Sequence, residues 1–120
     1  MQEAMKKLYE KIEEYEEADE ILEYIDDIED LIERKDYNKE KVIEIETQYS
    51  IETKFLLGFD NPEKFGFENN NEDPDLQVLV NLRDRLYLIA VLKILEEEGK
   101  EIPRDFAKRN YNQLYELIEN

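Results

Sequence analysis

The chain has 120 residues, 41% of them charged, and a formal net charge of −17 at pH 7. It contains no cysteine and no histidine, which excludes disulfides, thiolate metal sites and catalysis through a histidine-activated nucleophile. A surface of this charge repels nucleic acids and anionic membranes and attracts basic proteins.

Length and composition predict a single helical domain over residues 1–120. A chain of this size buries one core, and eight tyrosines and five phenylalanines distinguish it from disordered acidic tails, which are poor in aromatic residues. The N-terminus does not have the basic and then apolar pattern of a signal peptide, and no apolar run approaches the roughly 18–20 residues that span a bilayer. We therefore expect a cytoplasmic protein that contacts no membrane.

The first predicted element is one long acidic helix over residues 1–34. Its apolar residues recur in steps of three or four, which is typical of a helix with one buried face. Residues 1–34 also hold 14 acidic and 4 basic side chains, a balance of −10 out of the total of −17. The predicted apolar stripe consists of Met5, Leu8, Ile12, Tyr15, Ala18, Leu22, Ile25, Ile28 and Ile32, widened in its second half by Ile21, Tyr24 and Leu31.

The sequence of the second element, residues 38–57, is compatible with two secondary structures, a helix and a strand. As a helix it would be capped by Asn38 and ended by Gly58. As a strand, residues 43–55 alternate strictly between β-forming and polar side chains, and a strand with no partner in the chain would pair across a dimer. Because the other segments are helical, we predict the helix and keep the strand as the alternative.

A polar connection follows over residues 59–73. It contains Pro62, Gly66 and three consecutive asparagines. Loops of this length in compact domains are often functional. Its three phenylalanines would either fix the loop to the core or contact a partner, and we keep them as candidate contact residues: Phe59, Phe65 and Phe67.

Two further helices are predicted over residues 74–98 and 103–119. Asp73 and Pro74 form a capped start for the first of them, and Gly99 ends it. That helix is apolar on most sides, so we expect it to be the central, most buried element. The predicted fold is thus all-α, a compact bundle of about four helices, with an α+β fold as the alternative if 43–55 is a strand.

No catalytic motif is present. The chain has one serine and no glycine-rich phosphate loop. Magnesium chemistry with carboxylates alone would need acids of the first helix to face scattered acids of the last two, such as Asp84, Asp105 and Glu116. We therefore predict no enzyme, no metal site and no cofactor, with a magnesium-dependent all-α nucleotide hydrolase as a minor alternative.

The acidic side of the first helix is the strongest functional signal. At about 1.5 Å per residue, the segment 10–33 would carry one carboxylate per about 2.7 Å, within a factor of two of duplex DNA with one charge per about 1.7 Å. The acids at 16, 20, 23, 27 and 30 would form a single file along the helix.

The like charges on this helix repel one another, so we expect opposite charges to compensate for the repulsion. Seven like-charged pairs lie four residues apart between positions 10 and 33, and each would cost about 0.2–0.5 kcal/mol. The repulsion could be reduced by a basic partner or by basic residues of the last helix, namely Lys100, Arg104, Lys108 and Arg109.

These features predict a non-catalytic acidic protein that inhibits a nucleic-acid-binding enzyme by occupying its basic groove in place of the phosphate backbone. In size and charge, though in no shared motif, the chain resembles phage-encoded anti-restriction and anti-CRISPR proteins, and this likeness implies a basic protein partner and no direct nucleic acid. The alternative is a structural or adaptor protein, either a helical homo-oligomer such as a homodimer or an accessory subunit that is recognised through its apolar stripe and phenylalanine loop. The predicted partner-binding residues are Glu13, Glu16, Glu17, Glu20, Glu23, Asp26, Asp27 and Asp30.

Overall fold

The structure is a computed structural model, and it describes residues 3–49 and 73–119. In these two ranges the chain is helical and forms no strand, which confirms the predicted all-α fold. The α-helices are α1 (Glu3–Ile12), α2 (Asp19–Arg34), α3 (Lys39–Gln48), α4 (Pro74–Glu97) and α5 (Tyr111–Glu119), with short 3-10 helices at Glu16–Ala18 and Phe106–Lys108.

Helix α4 is the centre of the bundle, as its apolar composition predicts. Helices α2, α3 and α5 and the first 3-10 helix all pack against it, while α1 packs mainly against α5. Most α4 side chains from Leu79 to Leu95 are buried, on all sides of the helix. Helix α2 therefore lies with one face on α4 and the other toward solvent. No helix in the described residues is both long enough and apolar enough to cross a membrane.

The helix ends follow the capping signals in the sequence. Asn38 Oδ1 accepts a hydrogen bond from the backbone N–H of Lys41 at 2.8 Å, at the start of α3. Asp73 Oδ1 accepts from the backbone N–H of Leu76 at 3.1 Å, at the start of α4. After α4, Gly99 has φ +68, a conformation that a residue without a Cβ adopts at little cost.

The prediction of one continuous helix over residues 1–34 is wrong, because the chain leaves the helix after Ile12 and re-enters it at Asp19. Tyr15, in between, has an extended backbone with φ −119 and ψ 117. A continuous helix from residue 3 to residue 34 would be about 48 Å long at 1.5 Å per residue, which exceeds the 40 Å longest dimension of the molecule. The break also removes the like-charged pairs 10–14, 13–17 and 16–20 from a shared helix.

The strand alternative for residues 43–55 is wrong for the part that the structure describes, since residues 43–48 belong to α3. Val42 and Ile45 are buried, while Ile43 is 55% exposed. This is the pattern of a helix with one face on the core and not that of a strand. Residues 50–57 and Gly58 lie outside the described residues.

The predicted helix over residues 103–119 is also shorter than expected. The 3-10 turn Phe106–Lys108 comes first, and Arg109 is extended with φ −78 and ψ 144. Helix α5 begins with a reciprocal cap in which the Asn110 and Gln113 side chains each accept from the other residue's backbone N–H at 2.9 Å. This cap sets the helix start at Tyr111.

Candidate functional site

All of the acids predicted to contact a partner are exposed. They do not form one file, however, because the helix is broken before α2. Glu13 lies in the connection that follows α1, and Glu16 and Glu17 belong to the first 3-10 helix. The remaining five lie on α2, and they are Glu20, Glu23, Asp26, Asp27 and Asp30.

We define the acidic face as the seven exposed acids of α2. At 3.6 residues per turn they cover an arc of roughly 140°, and the buried residues Ile21, Ile25 and Ile28 lie on the opposite side of the helix. The acidic face consists of Asp19, Glu20, Glu23, Asp26, Asp27, Asp30 and Glu33.

The mean linear density of these charges along α2 is close to that of a single nucleic-acid strand. Helix α2 has 16 residues, so it is about 24 Å long and carries one exposed carboxylate per about 3.4 Å. Phosphates along a single strand of B-DNA are also about 3.4 Å apart along the axis. The sequence estimate of about 2.7 Å included Glu29 and acids that the structure places outside α2.

Some members of the acidic face have partners within the chain. Asp26 accepts a hydrogen bond from the Tyr9 hydroxyl at 2.7 Å, and Glu20 accepts one from the Tyr24 hydroxyl. Asp30 pairs with Arg34 at 3.0 Å, one turn further along the helix. Burial and the bond to Asp26 raise the pKa of Tyr9 above its ordinary value.

Two acids near the middle of the face are not engaged in this way. Within the described residues, Glu23 and Asp27 make no hydrogen bond or ion pair through their carboxylates. They are the acidic side chains best placed to meet an external cation, because no internal contact has to be broken first.

Two of the four basic residues that were expected to offset the face bind elsewhere. Lys100 donates to the backbone carbonyl of Ile118. Arg109 pairs with Asp105 at 3.2 Å. These two cations stabilise the C-terminal segment and not α2.

A group of polar residues that was not predicted from the sequence lies inside the fold. Glu29 of α2 and Arg83 of α4 form an ion pair with an Nη1–Oε1 distance of 2.5 Å. Asp84 is fully buried, its Oδ1 lies 3.6 Å from Nε of Arg83, and it accepts a hydrogen bond from the Tyr111 hydroxyl of α5. The Tyr87 ring packs edge-on against the Tyr111 ring, with centroids 5.4 Å apart. We call these five residues the buried polar cluster.

The burial of this cluster perturbs its titration. Burial raises the pKa of Asp84 to about 8, although the Tyr111 hydrogen bond and the Arg83 charge both favour the ionised form. Burial likewise raises the pKa of Tyr111 and of Tyr87. Asp84 Oδ2 and the Tyr87 hydroxyl have no hydrogen-bond partner among the described residues. Burial therefore favours the protonated form of Asp84, and Glu29, which makes the shorter contact with Arg83, is the counterion of Arg83.

The geometry also bears on the two alternative functions, a magnesium-dependent hydrolase and a structural or adaptor protein. In the described part of the chain, no three acidic side chains converge as metal ligands would, and Asp84 is engaged in the buried polar cluster. Leu22 and Ile25 of the apolar stripe are 6% and 0% exposed and pack within the core of the same chain, whereas Tyr15, Leu31 and Ile32 are partly exposed. The candidate loop contacts lie outside the described residues, and they are Phe59, Phe65 and Phe67.

Comparisons with protein-family models, with curated proteins and with solved structures found no match to this chain. The basis for a functional assignment is therefore the chemistry of the acidic face and of the fold that carries it.

Proposed function

We propose that this protein is a non-catalytic inhibitor that docks its acidic face into the basic groove of a nucleic-acid-binding enzyme, in the manner of phage anti-restriction and anti-CRISPR proteins. The observation that carries the proposal is the set of seven exposed carboxylates on one side of α2, whose mean number per unit length is close to that of phosphates on one strand. The proposed compartment is the cytoplasm, where such enzymes act.

The self-repulsion of the face supports a partner that carries the opposite charge. Three like-charged pairs at i, i+4 lie within the face, at 19–23, 23–27 and 26–30. At about 0.2–0.5 kcal/mol each, they cost roughly 0.6–1.5 kcal/mol in the free protein. A row of arginines and lysines would remove part of this cost on binding.

The way that the face is held also supports the proposal. The inner side of α2 is packed on α4 through Ile21, Ile25 and Ile28, and Glu29 ties the helix to Arg83. The carboxylates are thus presented on a fixed helix, so that little ordering of the backbone is needed when the partner binds.

The expected partner surface is a groove lined by arginine and lysine that otherwise holds phosphates. Complementary charges of this kind act mainly on the rate of association and on specificity, and both effects weaken as salt screens the charges. The inhibitor and the nucleic acid should exclude each other, because both need the same groove.

The experiment uses two variants of equal charge change. The face variant, Glu23→Lys with Asp27→Lys, reverses the two unengaged acids of α2. The control variant, Glu96→Lys with Glu97→Lys, reverses two exposed acids at the C-terminal end of α4. Wild type and both variants are immobilised, host lysate is passed over them at low salt, and the retained proteins are identified and purified.

We expect wild type and the control variant to retain the same nucleic-acid-binding protein and to displace a labelled oligonucleotide from it, and the face variant to do neither. A purified partner that binds all three proteins equally, or that binds wild type and the oligonucleotide together, would contradict the proposal. The first of these outcomes would favour an adaptor that binds through another surface.

A further inference from the structure

The buried polar cluster contains one cation and two carboxyl groups. Arg83 lies 2.5 Å from Glu29 through Nη1 and 3.6 Å from Asp84 through Nε. If both carboxyls were ionised, the cluster would hold an uncompensated negative charge away from water, which is strongly unfavourable. One of the two carboxyls must therefore carry a proton over the pH range in which the cluster is stable.

The two carboxyls differ in their environments. The Glu29 side chain is 15% exposed and makes the shorter contact with Arg83, whereas Asp84 is 0% exposed. The pKa of Asp84 is raised to about 8, mainly by burial and to a smaller extent by the negative charge of Glu29, against the opposing effects of Tyr111 and Arg83. The proton therefore resides on Asp84.

The surroundings of Asp84 come from each helix that packs around it. Among the described residues, the charged and titratable groups are Arg83 and Tyr87 of α4, Tyr111 of α5 and Glu29 of α2, with Tyr9 of α1 and Asp26 of α2 acting on Tyr87. Arg83 is the cation of this set, and it lies near the carboxyl groups of Glu29 on α2 and Asp84 on α4.

We propose that Arg83 pairs with Glu29 beside a protonated Asp84, and that the proton on Asp84 makes the contact between α2, α4 and α5 a pH-sensitive switch in the core. At neutral pH, Glu29 neutralises Arg83 and the protonated Asp84 remains bonded to Tyr111. In mildly alkaline solution Asp84 releases its proton to solvent, the cluster acquires a net negative charge, and the contact weakens.

The direction of the pH effect follows from proton linkage. The folded-state pKa of Asp84 is raised above the ordinary value of an aspartate, so the folded protein binds this proton more tightly than the unfolded chain does. The contribution to stability is fully present below about pH 4, the unfolded pKa. It is lost as the pH rises to the folded pKa of about 8.

The first test is whether Glu29 controls the titration of Asp84. Glu29→Gln leaves Asp84 as the carboxylate for Arg83, so the pKa of Asp84 should fall by about one to three pH units. Glu33→Gln removes an exposed acid one turn further along α2 and serves as the matched control. The readout is the carbon-13 chemical shift of the Asp84 carboxyl against pH, assigned by its absence in Asp84→Asn.

We expect a wild-type midpoint near pH 8, a large downward shift in Glu29→Gln, and a shift of much less than one unit in Glu33→Gln. A wild-type midpoint near pH 4, or equal shifts in the two variants, would overturn the proposal.

A second measurement does not depend on the folding of Glu29→Gln. The midpoint urea concentration of unfolding is measured for wild type and Asp84→Asn at about pH 6 and about pH 9. The wild-type midpoint should be lower at about pH 9 than at about pH 6. The midpoint of Asp84→Asn, which holds no titrating carboxyl at this site, should change much less. Parallel decreases in both proteins would overturn the switch.

Discussion

Two of the tyrosine–aspartate hydrogen bonds among the described residues have the same chemistry and different surroundings. Tyr111 donates to Asp84 in the core, where the two residues are 3% and 0% exposed. Tyr9 donates to Asp26, which is exposed. Removing the donor from a buried acceptor leaves it unsatisfied, whereas water can replace a donor at the surface.

We therefore predict that Tyr111→Phe lowers the free energy of unfolding by about 1–3 kcal/mol, and that Tyr9→Phe lowers it by less than about 1 kcal/mol. The pKa of Asp84 should also rise further in Tyr111→Phe, because a donor that favours the ionised form is lost. Urea unfolding at pH 7, followed by circular dichroism, measures both free energies. Equal losses would show that burial does not decide the strength of these bonds.

At the residue scale, the exposed acids were predictable and the buried ones were not. The acids lie opposite a regular apolar stripe, so the helical period alone places them in solvent. Arg83 and Asp84 lie beside the exposed Arg85 in a largely apolar helix, and the sequence does not show which of these charges is buried. Glu29, the partner of Arg83, is 54 residues away, and the sequence contains no pattern that connects the two segments.

At the scale of elements, the break between α1 and α2 was not predictable from the sequence. The connecting residues 13–18 include neither proline nor glycine, and the apolar steps from Ile12 through Tyr15 and Ala18 fit a continuous helix. The break results from packing that periodicity does not encode, since Ala18 is buried in a 3-10 helix against α4. By contrast, the pair Asn110 and Gln113 that starts α5 is a capping signal that the sequence does contain.

The start of α4 gives a prediction at this scale. Asp73 caps the helix through Leu76 and accepts a second hydrogen bond from the Tyr37 hydroxyl at 2.8 Å. Asp73→Ala should therefore lower the free energy of unfolding by about 1–2 kcal/mol. Asp75→Ala, which removes an acid from the same helical turn but not the cap, should cost less, as measured by thermal and urea unfolding.

The pH dependence of this cap is opposite to that of the buried cluster. The hydrogen bond from the backbone of Leu76 and that from Tyr37 lower the pKa of Asp73. The stabilisation by the cap is then present above about pH 4, the unfolded pKa, and is lost as the pH falls through the lowered folded pKa. The difference between wild type and Asp73→Ala should shrink in acid, and a difference that grows in acid would contradict this role.

At the scale of the whole molecule, the net charge of −17 dominates. Added salt screens repulsion between exposed charges, since the Debye length falls from about 30 Å at 0.01 M to about 8 Å at 0.15 M. We predict that the urea midpoint rises over this range of sodium chloride. The neutralised variant Glu23→Gln with Asp27→Asn should be more stable at low salt and should respond less to salt. A wild-type midpoint that falls with salt would show that attractive ion pairs outweigh the self-repulsion.

The central claim is that the acidic face, and not the total charge, docks the protein onto a basic partner. It is tested most directly by the association rate constant with the captured partner, measured at low and at physiological salt for wild type, the face variant and the control variant. The account predicts a wild-type rate that falls by about tenfold or more with salt, a face variant that is about tenfold slower at low salt, and a control variant close to wild type. Equal rates for the three proteins, or a wild-type rate that does not change with salt, would contradict it.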